Sequence, residues 1–191
     1  MNLPLSLPPT APSRVLVVYA HPEPHRSRVN RLLADAARAL PGVLVHDLYA
    51  LYPDFYIDPV REQALVAQAD LVVFLHPVRW YAMPALLKEW IDVVFASGWA
   101  YGTGGTALAR KGYLLAVSTG GAASAYSATG VHGRPFADYL PPYEQTARLC
   151  GMDWQEPLVL YGAHHATPEE LAAHIARFTE RLRTYTKKAD T

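Results

Sequence analysis

The sequence predicts an α/β protein built on a doubly wound, five-stranded parallel sheet with helices on both faces. Three observations carry that expectation. Strand-like and helix-like patterns alternate about five times along the chain, with no internal repeat, and right-handed crossovers leave few other solutions for such an order. Stretches such as VLVVY (15–19) and LVVFL (71–75) are continuously apolar, as strands covered on both faces are. Of 191 residues, 51% are hydrophobic and 18% charged, enough apolar material for a core and little ground for disorder.

The elements follow in order. Residues 1–13 hold four prolines and no apolar period, and are expected to be a flexible extension ahead of a single domain over 14–191. They carry no Lys or Arg before a hydrophobic stretch and do not read as a secretory leader. After strand 15–19, apolar spacing at Val29, Leu32, Leu33, Ala36, Ala37 and Leu40 predicts a helix, with Ser27 as its N-cap. Strand two is 43–48. Asp58-Pro59 opens a helix toward Ala69 in a cap-then-proline arrangement. Strand 71–75 leads to a helix over 84–95 whose Lys88, Glu89 and Asp92 share a solvated face. GYLLAVS (112–118) is the fourth strand, 143–150 a helix that Gly151 can end, and Leu158-Val159-Leu160 the fifth strand. Thr167, Pro168 and Glu170 form a capping box for a last helix lined by Leu171, Ile175, Phe178, Leu182 and Tyr185.

Composition narrows the function. Lys plus Arg and Asp plus Glu are 17 each, which gives no broad basic face for nucleic acid. The single cysteine, Cys150, rules out an internal disulfide framework and suits a reducing cytoplasm, with a buried thiol expected. No apolar run approaches the roughly 18 residues that cross a bilayer.

In doubly wound sheets ligands sit beyond the carboxyl ends of the strands, at the topological switch. Three loops there are chemically unusual. The first, AHPEPHRSRVN (20–30), has no glycine and is neither a P-loop nor a dinucleotide fingerprint, but it runs into a helix start carrying Ser27 and Asn30. Free amides, the helix dipole and a hydroxyl suit one phosphate; ordinary capping is the alternative. The second, HPVRWYAMP (76–84), sets Trp80 and Tyr81 between prolines, a stiff surface for a planar ring, unless Trp80 packs under the next helix. The third, STGGAASAYSATGVHG (118–133), has Gly120 and Gly121, where backbone can approach a ligand, and Tyr126 and His132, which can share a proton; a floppy surface loop is the alternative. His21 and His25 have a metal-like spacing, but Pro22 and Pro24 exclude a helix, so no metal is expected. His164-His165 is expected to be solvent-exposed. Ser124 lacks a nucleophile elbow, and the loop 52–55 is assigned packing or dimer contact.

Taken together, YAHPEPHRSRVN, LYPDFYID, ADLVVFLHPVRWYAMPALLKEWIDVVF, GWAYGTGGTAL and STGG followed by Tyr126 and GVHG resemble the flavodoxin-like NAD(P)H:quinone oxidoreductase family. Within that family the resemblance is closest to the ancillary flavoproteins of glutathione-regulated potassium-efflux systems. It covers 14 to about 162 in the family's order. It implies a flavodoxin-like fold, a two-fold homodimer with the site at its interface, and a tightly held flavin. By resemblance, His21, Ser27, Arg28, Val29 and Asn30 match the first flavin-binding segment. Pro77, Val78, Arg79 and Trp80 match the second, along the ring, and Thr119, Gly120, Gly121 and Ala122 the third, at the pyrimidine edge. Tyr126 and His132 match the charge-stabilising positions of the larger quinone reductases, while Tyr81, Trp99 and Tyr101 match the substrate pocket or the roof given by a partner subunit.

Two departures follow. The glycine-rich loop reads GGAASAYSATGVHG, nearer the larger reductases than the potassium-efflux relatives. The chain lacks the larger enzymes' extra C-terminal region, which favours FMN over FAD. The implied chemistry is ping-pong: NAD(P)H passes a hydride to the flavin and leaves, and a quinone takes it in the same slot. The alternative role is a regulatory subunit on a membrane potassium antiporter, at the inner face of the cell membrane; otherwise the expected location is cytoplasmic. A one-electron carrier ranks last, because such carriers are strongly acidic.

Overall fold

The computed structural model describes residues 14–186. The expected extension over 1–13 and the last five positions of the expected domain lie outside the described residues. In chain order the elements are β1 (Val15–Tyr19), α1 (Val29–Arg38), β2 (Val43–Asp47), α2 (Leu48–Leu51), α3 (Pro59–Gln68), β3 (Leu71–Pro77), α4 (Ala85–Val94), β4 (Gly112–Ser118), α5 (Pro141–Leu149), β5 (Asp153–Trp154), β6 (Leu158–Leu160) and α6 (Pro168–Thr186). Short 3₁₀ turns interrupt the loops at Pro24–Arg26, Ala123–Ala125 and Phe136–Tyr139.

All strand pairings are parallel, in the order β2-β1-β3-β4, and both β5 and β6 pair with β4. The expected fifth strand is therefore an edge in two pieces. Asp153 and Trp154 lie against Gly112 and Tyr113, and Leu158 to Leu160 against residues 116–118. Pro157, with no N–H to give a ladder, lies between them.

Side chains alternate across the sheet into two cores. Leu16, Val18, Val72, Phe74, Leu115 and Val117 face α3, α4 and α5, where Leu87, Trp90 and Ala147 cover them. Val15, Val17, Val73, Leu75 and Leu114 face α1 and α6, under Leu33, Ala37, Phe178 and Leu182. The expected stripe of α1 is rotated: Asn30 and Ala34 are buried and Leu32 is exposed. Ser27 does not hold the cap position, which Arg28 occupies. Its buried hydroxyl still accepts the Arg31 N–H at 3.1 Å and the Tyr19 hydroxyl at 2.9 Å. Asp58 and the Thr167/Glu170 box cap α3 and α6 as expected. Strand β2 stops at Asp47, whose carboxylate accepts the Ala50 N–H and starts α2, a helix the apolar pattern did not predict.

One buried polar cluster was not foreseen. The Glu62 carboxylate, fully buried on α3, accepts from the Tyr52 hydroxyl at 2.5 Å and from Trp90 Nε1 at 2.7 Å, and lies 2.7 Å from His46 Nε2. These donors together hold the carboxyl below its ordinary range against the opposing effect of burial. They tie β2, α3 and α4 together around a group that could not be buried alone. The loop 52–55 is thus anchored by Tyr52, while Phe55 stays exposed.

Candidate functional site

The strand order reverses direction at β1, which has β2 on one side and β3 on the other. Beyond the carboxyl ends of β1, β3 and β4 the departing loops leave a cleft of about 670 Å³. Its lining draws on all three expected loops: His21, Arg28, Val29 and Asn30; Pro77, Val78 and Arg79; Thr119 and Gly120. Ser27 lies beneath, held by Tyr19. Trp80, Gly121 and Ala122 border the cleft in sequence but are not among its lining residues.

The cleft is cationic. Arg26, Arg28 and Arg79 line it beside one carboxylate, Glu23. Glu23 accepts from Arg79 Nη2 at 2.8 Å and from Arg26 Nη1 at 3.2 Å, so it joins the first loop to the second. Arg79, then Arg26, hold its carboxyl below the usual range. His21 Nδ1 accepts the Glu23 N–H at 3.1 Å. Burial, then the Arg79 charge, push the His21 pKa down, which keeps the ring neutral. His25 is exposed.

The floor carries the clearest sign of a ligand. Asn30 is 1% exposed, yet neither its Oδ1 nor its Nδ2 has a hydrogen-bond partner among the described residues. Leaving such a group unpaired costs about 1–3 kcal/mol. A ligand with hydroxyls or phosphate oxygens would satisfy it. The α1 amides and the surrounding arginines fit the same ligand. A phosphorylated, planar cofactor such as FMN therefore suits the residues present.

The second loop displays its aromatics on a strained turn. Arg79 and Ala82 exchange both backbone hydrogen bonds, at 2.9 and 3.0 Å, around Trp80 (φ 48°) and Tyr81 (φ 65°). This turn ordinarily takes Asn-Gly. Trp80 is 92% exposed, so it does not pack under α4.

Beside the cleft lies an aromatic box. Tyr81 stacks on Tyr139 with centroids 5.0 Å apart, and Tyr126 lies 4.3 Å from His132. Phe136 and Tyr161 close its far side against Tyr126. Burial raises the Tyr126 pKa, an effect the Thr119 side chain partly offsets; the Thr119 hydroxyl itself donates to Gly121 O at 2.7 Å. The Tyr81 hydroxyl is 3.4 Å from His132 Nδ1. Tyr126 and His132 thus come together as expected, beside the cleft rather than lining it. Trp99 and Tyr101 pack half-buried on the α4-side core, away from the cleft lining.

The sequence reading missed Glu23, Tyr139, Tyr161 and a fourth loop. Ala163 and His164, just past β6, also line the cleft. His164 is exposed, as expected, but it is not outside the site. Its position beyond a strand's carboxyl end was the available signal.

Comparison with known proteins places the chain in context. The model of the flavodoxin-like fold family matches residues 13–184. The glutathione-regulated potassium-efflux system ancillary protein KefG of Enterobacter sp. (strain 638) is 45% identical over 170 residues, 89% of this chain and 93% of that protein. The structure of general stress protein 14 of Treponema denticola in complex with FMN is 36% identical with a TM-score of 0.84, covering 90% of this chain and 99% of that one. An NADPH-quinone reductase from P. pentosaceus is 26% identical with a TM-score of 0.81, covering 88% and 97%.

Proposed function

This chain belongs to the family of the flavodoxin-like fold, and from that premise we propose that it is an FMN-dependent NAD(P)H:quinone oxidoreductase. The observation that carries the reading is Asn30, a buried amide without a partner at the floor of a cationic cleft. The FMN held by the Treponema denticola relative and the name of the P. pentosaceus enzyme support it.

In this reading Ser27, Arg28 and Asn30, with the free amides opening α1, hold the phosphate and the sugar chain. Pro77, Val78, Arg79 and Trp80 flank the ring, and Thr119 to Ala122 present backbone amides to its polar edge. Bound FMN supplies two-electron hydride chemistry, taking from a nicotinamide and giving to a quinone that alternate in one slot. The chain's own residues handle charge. A Cβ on Gly121 would lie 3.0 Å from His132 Nε2, so this nitrogen faces the backbone that borders the cleft. Nε2 of His132 and the Tyr126 hydroxyl would share the proton that offsets the added negative charge. Losing one such donor commonly costs about 2.7–4 kcal/mol of barrier, a factor of about 10²–10³. Tyr81, Trp99 and Tyr101 are assigned to the substrate slot or to the roof given by a second copy.

Rapid-mixing reduction of the FMN-loaded protein by NADPH and by NADH tests the reading. Tyr126→Phe and His132→Ala are each expected to keep FMN and slow reduction by about 10²-fold. Unchanged rates in both variants contradict these roles.

The 45% identity to KefG favours a second reading, an ancillary subunit of a potassium-efflux protein. Among the described residues no helix is long and apolar enough to cross a membrane, so this role would require docking on a separate membrane protein. Co-purification with that transporter, and a potassium efflux rate that depends on this chain, would support it.

A further inference from the structure

Two histidines stand against the glycine pair of the loop after β4. A Cβ on Gly121 would meet His132 Nε2 at 3.0 Å, and one on Gly120 would meet His164 Cδ2 and Nε2 at 3.7 Å. His132 comes from the same loop, whereas His164 comes from the segment after β6. That segment is tied down on both sides. The Gly162 N–H donates to Gly121 O at 2.8 Å and the Ala163 N–H to Thr119 O at 2.8 Å. Arg28 Nη2 donates to Ala166 O at 3.0 Å. His164 therefore enters the cleft as a wall facing Gly120.

The other charged and titratable groups lining the cleft are His21, Glu23, Arg26 and Arg28 from the loop after β1, and Arg79 from the loop after β3. The end of β4 and the loop after it contribute only Ser118, Thr119 and Gly120. Glu23, the one carboxylate of the lining, is taken by Arg79 and Arg26. Among the described residues no carboxylate of the lining is left to neutralise a protonated His164.

We propose that His164 sets the charge at the flavin: its imidazolium stabilises the negative charge that a bound flavin gains with a hydride, and so raises the midpoint potential at low pH above the value the same site has without that ring. The inference rests on the functional reading above. Imidazole changes charge between about pH 5 and pH 8, and a cation near the ring favours the reduced form over the neutral oxidised one. Because His164 is exposed, solvent screens the interaction and the effect is modest.

The test is a redox titration of the FMN-loaded wild type, His164→Gln and His164→Lys at about pH 5 and about pH 8. At the lower pH the Gln variant is expected to favour the oxidised form about tenfold more than wild type, about 30 mV for a two-electron couple. At the higher pH the two coincide, while the Lys variant lies above the Gln variant at both. Equal potentials for wild type and His164→Gln at the lower pH overturn the inference and leave flavin binding and quinone reduction standing. A protein that takes up no FMN overturns the functional reading and the inference with it.

Discussion

Asn30 shows how a single residue can announce a ligand. Its side chain sits on the buried face of α1, where the apolar period placed Leu32, and both of its polar atoms lack partners among the described residues. Asn30→Ala removes this unpaired amide from the free protein and its hydrogen bonds from the complex. The expected result is FMN affinity reduced by at least about tenfold, with unfolding stability equal to or above wild type; fluorescence titration and urea denaturation measure the two. Equal affinity would move the ligand elsewhere. Residues of this kind were legible in the sequence because they cluster in one contiguous loop: His21, Ser27, Arg28, Val29 and Asn30 all end at or under the cleft. Glu62 and His164 were not. Glu62 sits in a polar-looking helix, and its three partners lie 10, 16 and 28 residues away. His164 reaches Gly120 only through a crossover.

At the scale of elements, the turn from Arg79 to Ala82 holds two non-glycine residues at positive φ, a conformation that costs about 1–2 kcal/mol per residue. Such strain is retained where it presents a side chain for use. Replacing Trp80-Tyr81 with Asn-Gly is expected to raise stability by about 1 kcal/mol, read as a higher urea midpoint at unchanged slope. The same change is expected to weaken FMN binding and slow its reduction. A variant that gains stability and loses neither function would refute the assigned role. Apart from α2, the helices were legible from period and capping, since Asp58, Thr167 and Glu170 act locally. The split edge strand was not, because Asp153 and Trp154 pair with β4 for only two residues, too short a run to show a period.

The whole molecule gathers its chemistry at one rim of the sheet and buries titratable groups elsewhere. His76, on β3, is fully buried against Tyr143, and burial lowers its pKa from 6.5 to about 4; His174, on the buried side of α6, is lowered to about 4 as well, by burial and then by Arg177. Both rings are neutral when folded and take up protons near 6.5 when unfolded. The unfolded chain therefore binds more protons between 6.5 and about 4, and stability is full above that window and falls as pH drops through it. For His76 alone the loss is roughly 3 kcal/mol across the window. The urea midpoint is expected to be clearly lower at about pH 5 than at about pH 7; an equal or higher midpoint contradicts the buried neutral rings. The architecture itself was legible, since alternating strands and helices fixed a doubly wound sheet and hence the rim where loops converge. Which side chains line that rim, and which stand beside it in the aromatic box, depended on turns that no local pattern encodes. The functional reading stands or falls on whether the Asn30 cleft holds FMN. Flavin-free protein titrated with FMN is expected to saturate at one FMN per chain, with quenched flavin fluorescence and a yellow protein after gel filtration. A colourless protein and unquenched FMN throughout the titration would contradict it.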